Sequence, residues 1–247
     1  MSELTNQIHV FSSAKEAGIA AGKAVESHLV ALQQEKESIR MIFAAAPSQS
    51  DLLDYLAASS QINWASITAF NMDEYVGLQA DAPQLFSKFL EEKLFSKVKL
   101  KKVYTLTTDA TIEAEIASFS NLINAEVIDV VCLGIGENGH LAFNDPPVAD
   151  FQDKDTVKLV ELDLVCRQQQ VNDKCFDSLD EVPKTALTLT IPALLQADAL
   201  FCVVVGKHKA AAVHQAIYGP ISEQWPATIL RNHKKCAYYF DNLAFPG

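Results

Sequence analysis

Three short stretches of this chain carry side chains whose types and spacing could do chemistry. "LGIGENGHLAFNDPP", Leu133 to Pro147, follows an apolar run and sets Asn138, His140 and Asp145 on one loop. An imidazole with a carboxylate and an amide beside it can relay a proton. The same three residues equally describe a tight turn around a hydrogen-bonded structural histidine. Gly136 and Gly139 let a ligand approach the backbone closely. The spacing is G-x-G-x-x-G, but "HLAFNDPP" follows instead of a helical apolar pattern, so this is not a dinucleotide fingerprint. "FNMDEYVG" brings Asp73 and Glu74 straight off a buried-strand pattern, as bases held at a ligand or as loop acids. "AAAPSQS" offers backbone N–H groups with Ser48, Gln49 and Ser50 ahead of a helix start at Asp51. That suits a phosphate at the positive end of a helix, and it also suits a plain helix cap.

The elements that must position these residues alternate along the chain. "IHVF" leads to "SAKE", where Ser13 and Glu16 have capping-box spacing for a helix to about Lys36. Strands are expected over Ile39–Ala46, Ala65–Asn71, Lys102–Leu106, Val127–Gly134, Val157–Val160, Ala186–Thr190, Leu200–Val205 and Cys236–Phe240. Helical patterns fall between them, the later ones near Leu164–Phe176, Ala193–Gln196 and Lys207–Tyr218. "VIDVVCLG" is apolar without alternation, as in a parallel strand covered on both faces. The order predicts an α/β fold: a doubly wound, mostly parallel sheet in a Rossmann-like αβα three-layer sandwich. With no repeat, low-complexity segment or linker, residues 1–247 read as a single domain. Ligands of such folds sit beyond the carboxyl ends of the strands, and all three stretches follow strands.

Composition bounds the chemistry further. The chain has 247 residues, 49% hydrophobic and 21% charged, with nine glycines and nine prolines, an ordinary globular balance. A formal net charge of −11 argues against a nucleic-acid partner, which needs a basic face, and leaves room for a small anionic ligand. The five cysteines are scattered and never form a C-x-x-C pair, so reduced thiols are expected and no metal or disulfide frame. His9, His28, His208, His214 and His233 have no partner at metal-ligand spacing and read as structural or surface residues. The N-terminus lacks a basic region followed by an apolar one, and no stretch approaches eighteen uninterrupted apolar residues. A cytoplasmic protein with no membrane partner is expected.

"FNMDEYVGL" and "LGIGENGHLAFNDPP" together resemble the glucosamine-6-phosphate deaminase (isomerase) family, whose superfamily also holds 6-phosphogluconolactonases. The likeness runs through "VPKTALTLTIPALL" and "VVVGKHKAAAVHQAIYGPIS", so it covers nearly the whole chain in register. The resemblance implies a sugar-phosphate substrate, no cofactor, and conversion of an amino-sugar 6-phosphate to a ketose 6-phosphate plus ammonia. By the matching motifs, Asp73 would move a proton between C2 and C1. His140 would assist ring opening, a task that suits a side chain type titrating near neutrality. Asp145 stands where the family usually has Glu, so its contact with His140 would need a shifted loop or a water. Asn138 stands where members have Asp or Asn; it can fix the histidine but adds no charge.

The phosphate end departs more. "PSQS" replaces a glycine-rich loop, so Ser48, Gln49 and Ser50 would supply the donors. Lys209, in "GKHKAA", matches the family's phosphate lysine. For the family's phosphate arginine the chain offers Arg167 and Lys174, and Arg167 is favoured because a guanidinium binds phosphate bidentately. A lactonase would share the fold and the GxGxxGH loop, but its loop normally continues "TASLFP" where "LAFNDPP" stands here. A sugar-phosphate sensor that keeps the pocket without turnover is the rival outside enzymes. Glucosamine and galactosamine 6-phosphate are not distinguished. Homo-oligomerisation is left open, since members range from monomers to hexamers.

Overall fold

A computed structural model describes residues 7–108 and 111–246. Residues 1–6, which bear on the reading of the N-terminus, lie outside the described residues. The chain opens with β1 (Gln7–Phe11) and α1 (Ala14–Glu35). Ser13 caps α1, its Oγ accepting from the Glu16 N–H at 3.3 Å. The Glu16 carboxylate returns to the Ser12 N–H at 3.2 Å, so the expected capping box is offset by one residue. Then come β2 (Ile39–Phe43), a 3-10 turn at Pro47–Gln49, α2 (Ser50–Ala58), β3 (Ile67–Asn71), β4 (Asp73–Val76) and α3 (Phe86–Leu90). After β5 (Lys102–Tyr104), α4 (Ile112–Asn124) and β6 (Val130–Leu133) follow β7 (Val157–Glu161), α5 (Leu164–Asn172), β8 (Thr185–Leu189) and α6 (Ile191–Leu195). The chain finishes with β9 (Ala199–Val204), a 3-10 turn at Lys207–Lys209, α7 (Ala210–Tyr218) and β10 (Cys236–Asp241).

Among the described residues, the main sheet has the order β1-β10-β9-β6-β2-β3-β5, and every pairing in it is parallel. Alternation within each strand builds two apolar layers. Met41, Phe43, Val130, Cys132 and Phe201 face α1 and α2, packing with Val25, Leu29, Leu52 and Leu56. Ile42, Val131, Leu133, Leu200 and Cys202 face the other way, onto Phe119 and Ile123 of α4 and Val213 of α7. The result is the three-layer α/β sandwich that the continuous apolar runs predict.

A second, antiparallel sheet, β4-β8-β7, is a feature that the sequence pattern does not announce. Asn71 creates it. Its side-chain amide donates to the Asp73 carbonyl at 2.9 Å, and its Oδ1 accepts from the Leu106 N–H at 2.9 Å. The backbone therefore leaves the main sheet after β3, and Asp73 pairs with Thr188 of β8 instead. No described helix is long and apolar enough to cross a membrane.

The main sheet reverses direction of growth between β2 and β6. From β2 the chain moves outward to β3 and β5; from β6 it moves the other way to β9 and β10. Loops leaving the carboxyl ends of β2 and β6 part at that point and open a crevice.

Candidate active site

A cleft of about 410 Å³ occupies this crevice, and the ends of β2, β3, β6, β9 and β10 all contribute to it. Asp73, Gly136, His140, Ser48 and Lys209 line it, together with Asp51, Gln169, Asp173 and His208. Sequence-distant candidates thus meet in one place, because each follows a strand of the same parallel sheet.

Asp73 is 6% exposed, and no hydrogen-bond donor reaches its carboxylate among the described residues. Burial, reinforced by the charge of Glu74, pushes its carboxyl well above the usual carboxylate range. Glu74 is placed elsewhere. Successive strand residues point to opposite sides, so Glu74 turns away from the cleft and accepts from the backbone N–H groups of Tyr75, Phe86 and Ser87 at 3.0, 3.0 and 2.8 Å. It fastens β4 to the start of α3 and does not line the cleft, contrary to the binding role expected for it.

The histidine loop is a compact turn. Gly139 N–H donates to the Gly136 carbonyl and Gly136 N–H to the His140 carbonyl, both at 3.0 Å. The His140 ring lies flat against Gly136: a Cβ there would stand 2.2 Å from ring atoms. Gly139 has another task. Its φ of +82° makes the turn, and a Cβ would meet Trp225 at 2.9 Å, so it seats Trp225 and does not line the cleft.

Asp145 Oδ1 lies 2.9 Å from His140 Nδ1 with no water needed between them, although the geometry is not that of an aligned hydrogen bond. The shorter side chain reaches, and loses direction in doing so. Burial drives the Asp145 carboxyl up, but His140, Asn138 and the Asp163 backbone N–H outweigh it and hold the acid below its ordinary value. Asn138 works on the acid more than on the ring. Its amide donates to Asp145 Oδ1 at 3.0 Å and to Asp163 Oδ2 at 3.3 Å, while its Oδ1 accepts from the His140 backbone N–H at 3.1 Å. An aspartate at 138 would place a third carboxylate against two others, so the neutral amide is what this cluster requires.

The phosphate candidates separate. Lys209 is 5% exposed; burial lowers its pKa, opposed by Asp173 and Glu137, and it faces the cleft beside Ser48. Gln49 is fully buried, its amide donating to the Val203 carbonyl at 3.1 Å, so it ties the loop to β9 instead of facing a ligand. Ser50 begins α2 outside the cleft lining. Arg167 is also committed: Nε and Nη2 donate to the Val182 carbonyl at 3.3 and 2.9 Å, and Nη2 to the Leu179 carbonyl at 2.6 Å. The guanidinium holds the 179–182 loop and lies outside the cleft lining. Lys174, the other candidate, lines an adjoining recess of about 260 Å³ that shares Pro47 and Asp173 with the cleft, and its backbone is left-handed at φ 62°.

Several contributors escape sequence reasoning. Asp163 caps α5 and steadies both Asn138 and Asp145, the latter through its N–H at 3.1 Å. Gln169 accepts from the Glu137 N–H at 2.9 Å. His208 is exposed, as its surface reading expects, and also lines the cleft. The one available signal was Asn71, a polar residue ending a buried strand. The others depend on contacts that no spacing rule connects.

Comparison with known proteins follows the same lines. The profile of the family described as glucosamine-6-phosphate isomerases/6-phosphogluconolactonase matches residues 12–239. A glucosamine-6-phosphate deaminase of Lactobacillus acidophilus is 33% identical over 212 residues, 85% of this chain and 86% of that one. One from Streptococcus pyogenes serotype M1 is 32% identical over 188 residues, 75% of this chain and 77% of that one. Among solved structures, a monomeric glucosamine-6-phosphate deaminase superposes with a TM-score of 0.87 at 27% identity, covering 96% and 98% of the two chains. The 6-phosphogluconolactonase of Thermotoga maritima, at 20% identity and a TM-score of 0.78 over 96% and 99%, shares the fold.

Proposed function

This chain belongs to the family of glucosamine-6-phosphate isomerases and 6-phosphogluconolactonases, and from that premise we propose that it is an amino-sugar-6-phosphate deaminase. The observation that carries the reading is the buried, donor-free Asp73 carboxylate sharing one cleft with the Asp145-backed His140. In this reading the sugar phosphate lies with its anionic end toward Lys209, Ser48 and the Lys207–Lys209 turn. His140 moves a proton between the ring oxygen and the anomeric hydroxyl, opening the ring. Asp73 takes the C2 proton and returns it at C1, a transfer for which a base freed of competing donors is suited. The C2 amine then stands as an imine; water adds, ammonia leaves, and a ketose 6-phosphate remains.

Asp73 also separates this reading from a lactonase. Lactone hydrolysis removes no proton from carbon and has no use for a second buried base opposite the histidine. The five free thiols suit a reducing cytoplasm.

Ammonia release should be measured from glucosamine 6-phosphate and galactosamine 6-phosphate, beside hydrolysis of 6-phosphogluconolactone. Release from either amino sugar supports the reading; lactone hydrolysis alone, or binding without turnover, sinks it. Lys209→Ala is expected to raise KM about 10- to 100-fold, the size of a lost charged hydrogen bond. Arg167→Ala should leave KM unchanged and lower Tm by about 3–8 °C, because the buried Val182 carbonyl and the partly buried Leu179 carbonyl lose their donor. A large KM change in Arg167→Ala would return that residue to the phosphate site.

A further inference from the structure

Cys166 is fully buried in the first turn of α5, and the fold carries its thiol to the back of the histidine loop. One ligand atom from each of His140, Asp145 and Cys166 lies within 4.8 Å of the others. The imidazole Nδ1 is buried without a hydrogen-bond partner. Asp145 Oδ1 is 2.9 Å from it, and Asp145 is steadied from the other side by Asn138 and the Asp163 N–H. An imidazole nitrogen, a carboxylate oxygen and a thiol sulfur are a donor set for zinc. Tetrahedral zinc bonds of roughly 2.0–2.3 Å place ligand atoms roughly 3–4 Å apart, so the three would draw together by up to about 1 Å on taking up the ion.

We propose that His140 Nδ1, Asp145 and Cys166 form an inhibitory site for a soft divalent cation, Zn²⁺, behind the His140 ring. This rests on the deaminase reading for its consequence and on the three residues alone for the binding. The thiol gives up its proton to solvent and binds as thiolate; Nδ1 offers its lone pair, with the ring proton on Nε2. Both partners of the His140–Asp145 pair are then held by the ion, so the ring no longer exchanges protons with substrate. Asn138 and Asp163 keep orienting the carboxylate, the outer support that metal ligands need.

Cobalt is the spectroscopic probe. Titrating the whole metal-free protein with Co²⁺ should produce a near-ultraviolet thiolate-to-cobalt band at one ion per chain, which Zn²⁺ then abolishes. Cys166→Ser and Cys166→Ala should both lack the band, and inhibiting either should need about 10-fold more Zn²⁺ or beyond. Two variants guard against one that folds poorly. A wild-type protein without the band, or a band that survives in both variants, overturns the proposal. Because the spectrum needs no turnover, the band without ammonia release would sink the deaminase reading and spare the site. Ammonia release without the band would do the reverse.

Discussion

The Asp73→Asn protein is expected to lose about 10³- to 10⁴-fold in ammonia release and, at neutral pH, to melt about 2–6 °C higher than wild type. Both effects have one cause. The carboxyl is buried next to Glu74 with no donor, so the folded state binds its proton more tightly than the unfolded state does. A group with a raised folded pKa favours folding most below its unfolded pKa, about 3.9. That advantage is lost as pH climbs through the folded value. At neutral pH the wild type therefore bears a cost of burying this carboxyl, against an unfolded chain that ionises it freely, and an amide bears none. The difference in Tm should close below about pH 4, where both side chains are neutral. The acid limb of kcat/KM should lie above the ordinary carboxylate range. A variant that melts lower than wild type at neutral pH would show that the carboxylate is stabilised, and the argument for its basicity would fail.

Gly136→Ala should cost about 10²-fold or more in kcat with little change in KM or in the circular dichroism spectrum. The new methyl would overlap the His140 ring, whose atoms stand 2.2–2.3 Å from the added Cβ position. A ring at the end of a side chain can swing aside, so the fold survives. The catalytic geometry does not, and displacements of about 1 Å at a reacting group already cost about that much. In the proposed reading the phosphate rests on Lys209 and Ser48, away from position 136, so substrate should still bind. Full activity in this variant would mean that the ring's seat on Gly136 is irrelevant to turnover.

The strands that build the sheet were legible because burial on both faces leaves an unbroken apolar run, as in Val130–Leu133. That Asp73 and His140, the proposed catalytic pair, lie near each other at strand ends was legible because both sit in dense motifs directly after such strands. What failed was anything decided by side-chain direction. Glu74 neighbours Asp73 in sequence but points the other way in β4, and Gln49 neighbours Ser48 but donates inward to Val203. Arg167 carries the right group for phosphate, yet the carbonyls of Leu179 and Val182 claim it. Asp163 and Cys166 were invisible because they meet the histidine loop only through the path of β7 and α5. Sequence spacing locates loops well; it does not say which of two adjacent polar side chains faces the ligand.

The pairing of β1 with β10 sets the order of assembly. The earliest described strand pairs with the latest, Val10 beside Phe240, and β10 itself lies between β1 and β9. Until β10 emerges, β1 has no neighbour, and the edge of β9 stays open. Loop closure across almost the whole chain must precede that contact, which makes it slow to form. Nascent chains therefore hold β1 unpaired for most of the described length, and the edge of β9 open from Val204 until β10 is made, an interval in which a sheet protein is prone to self-association.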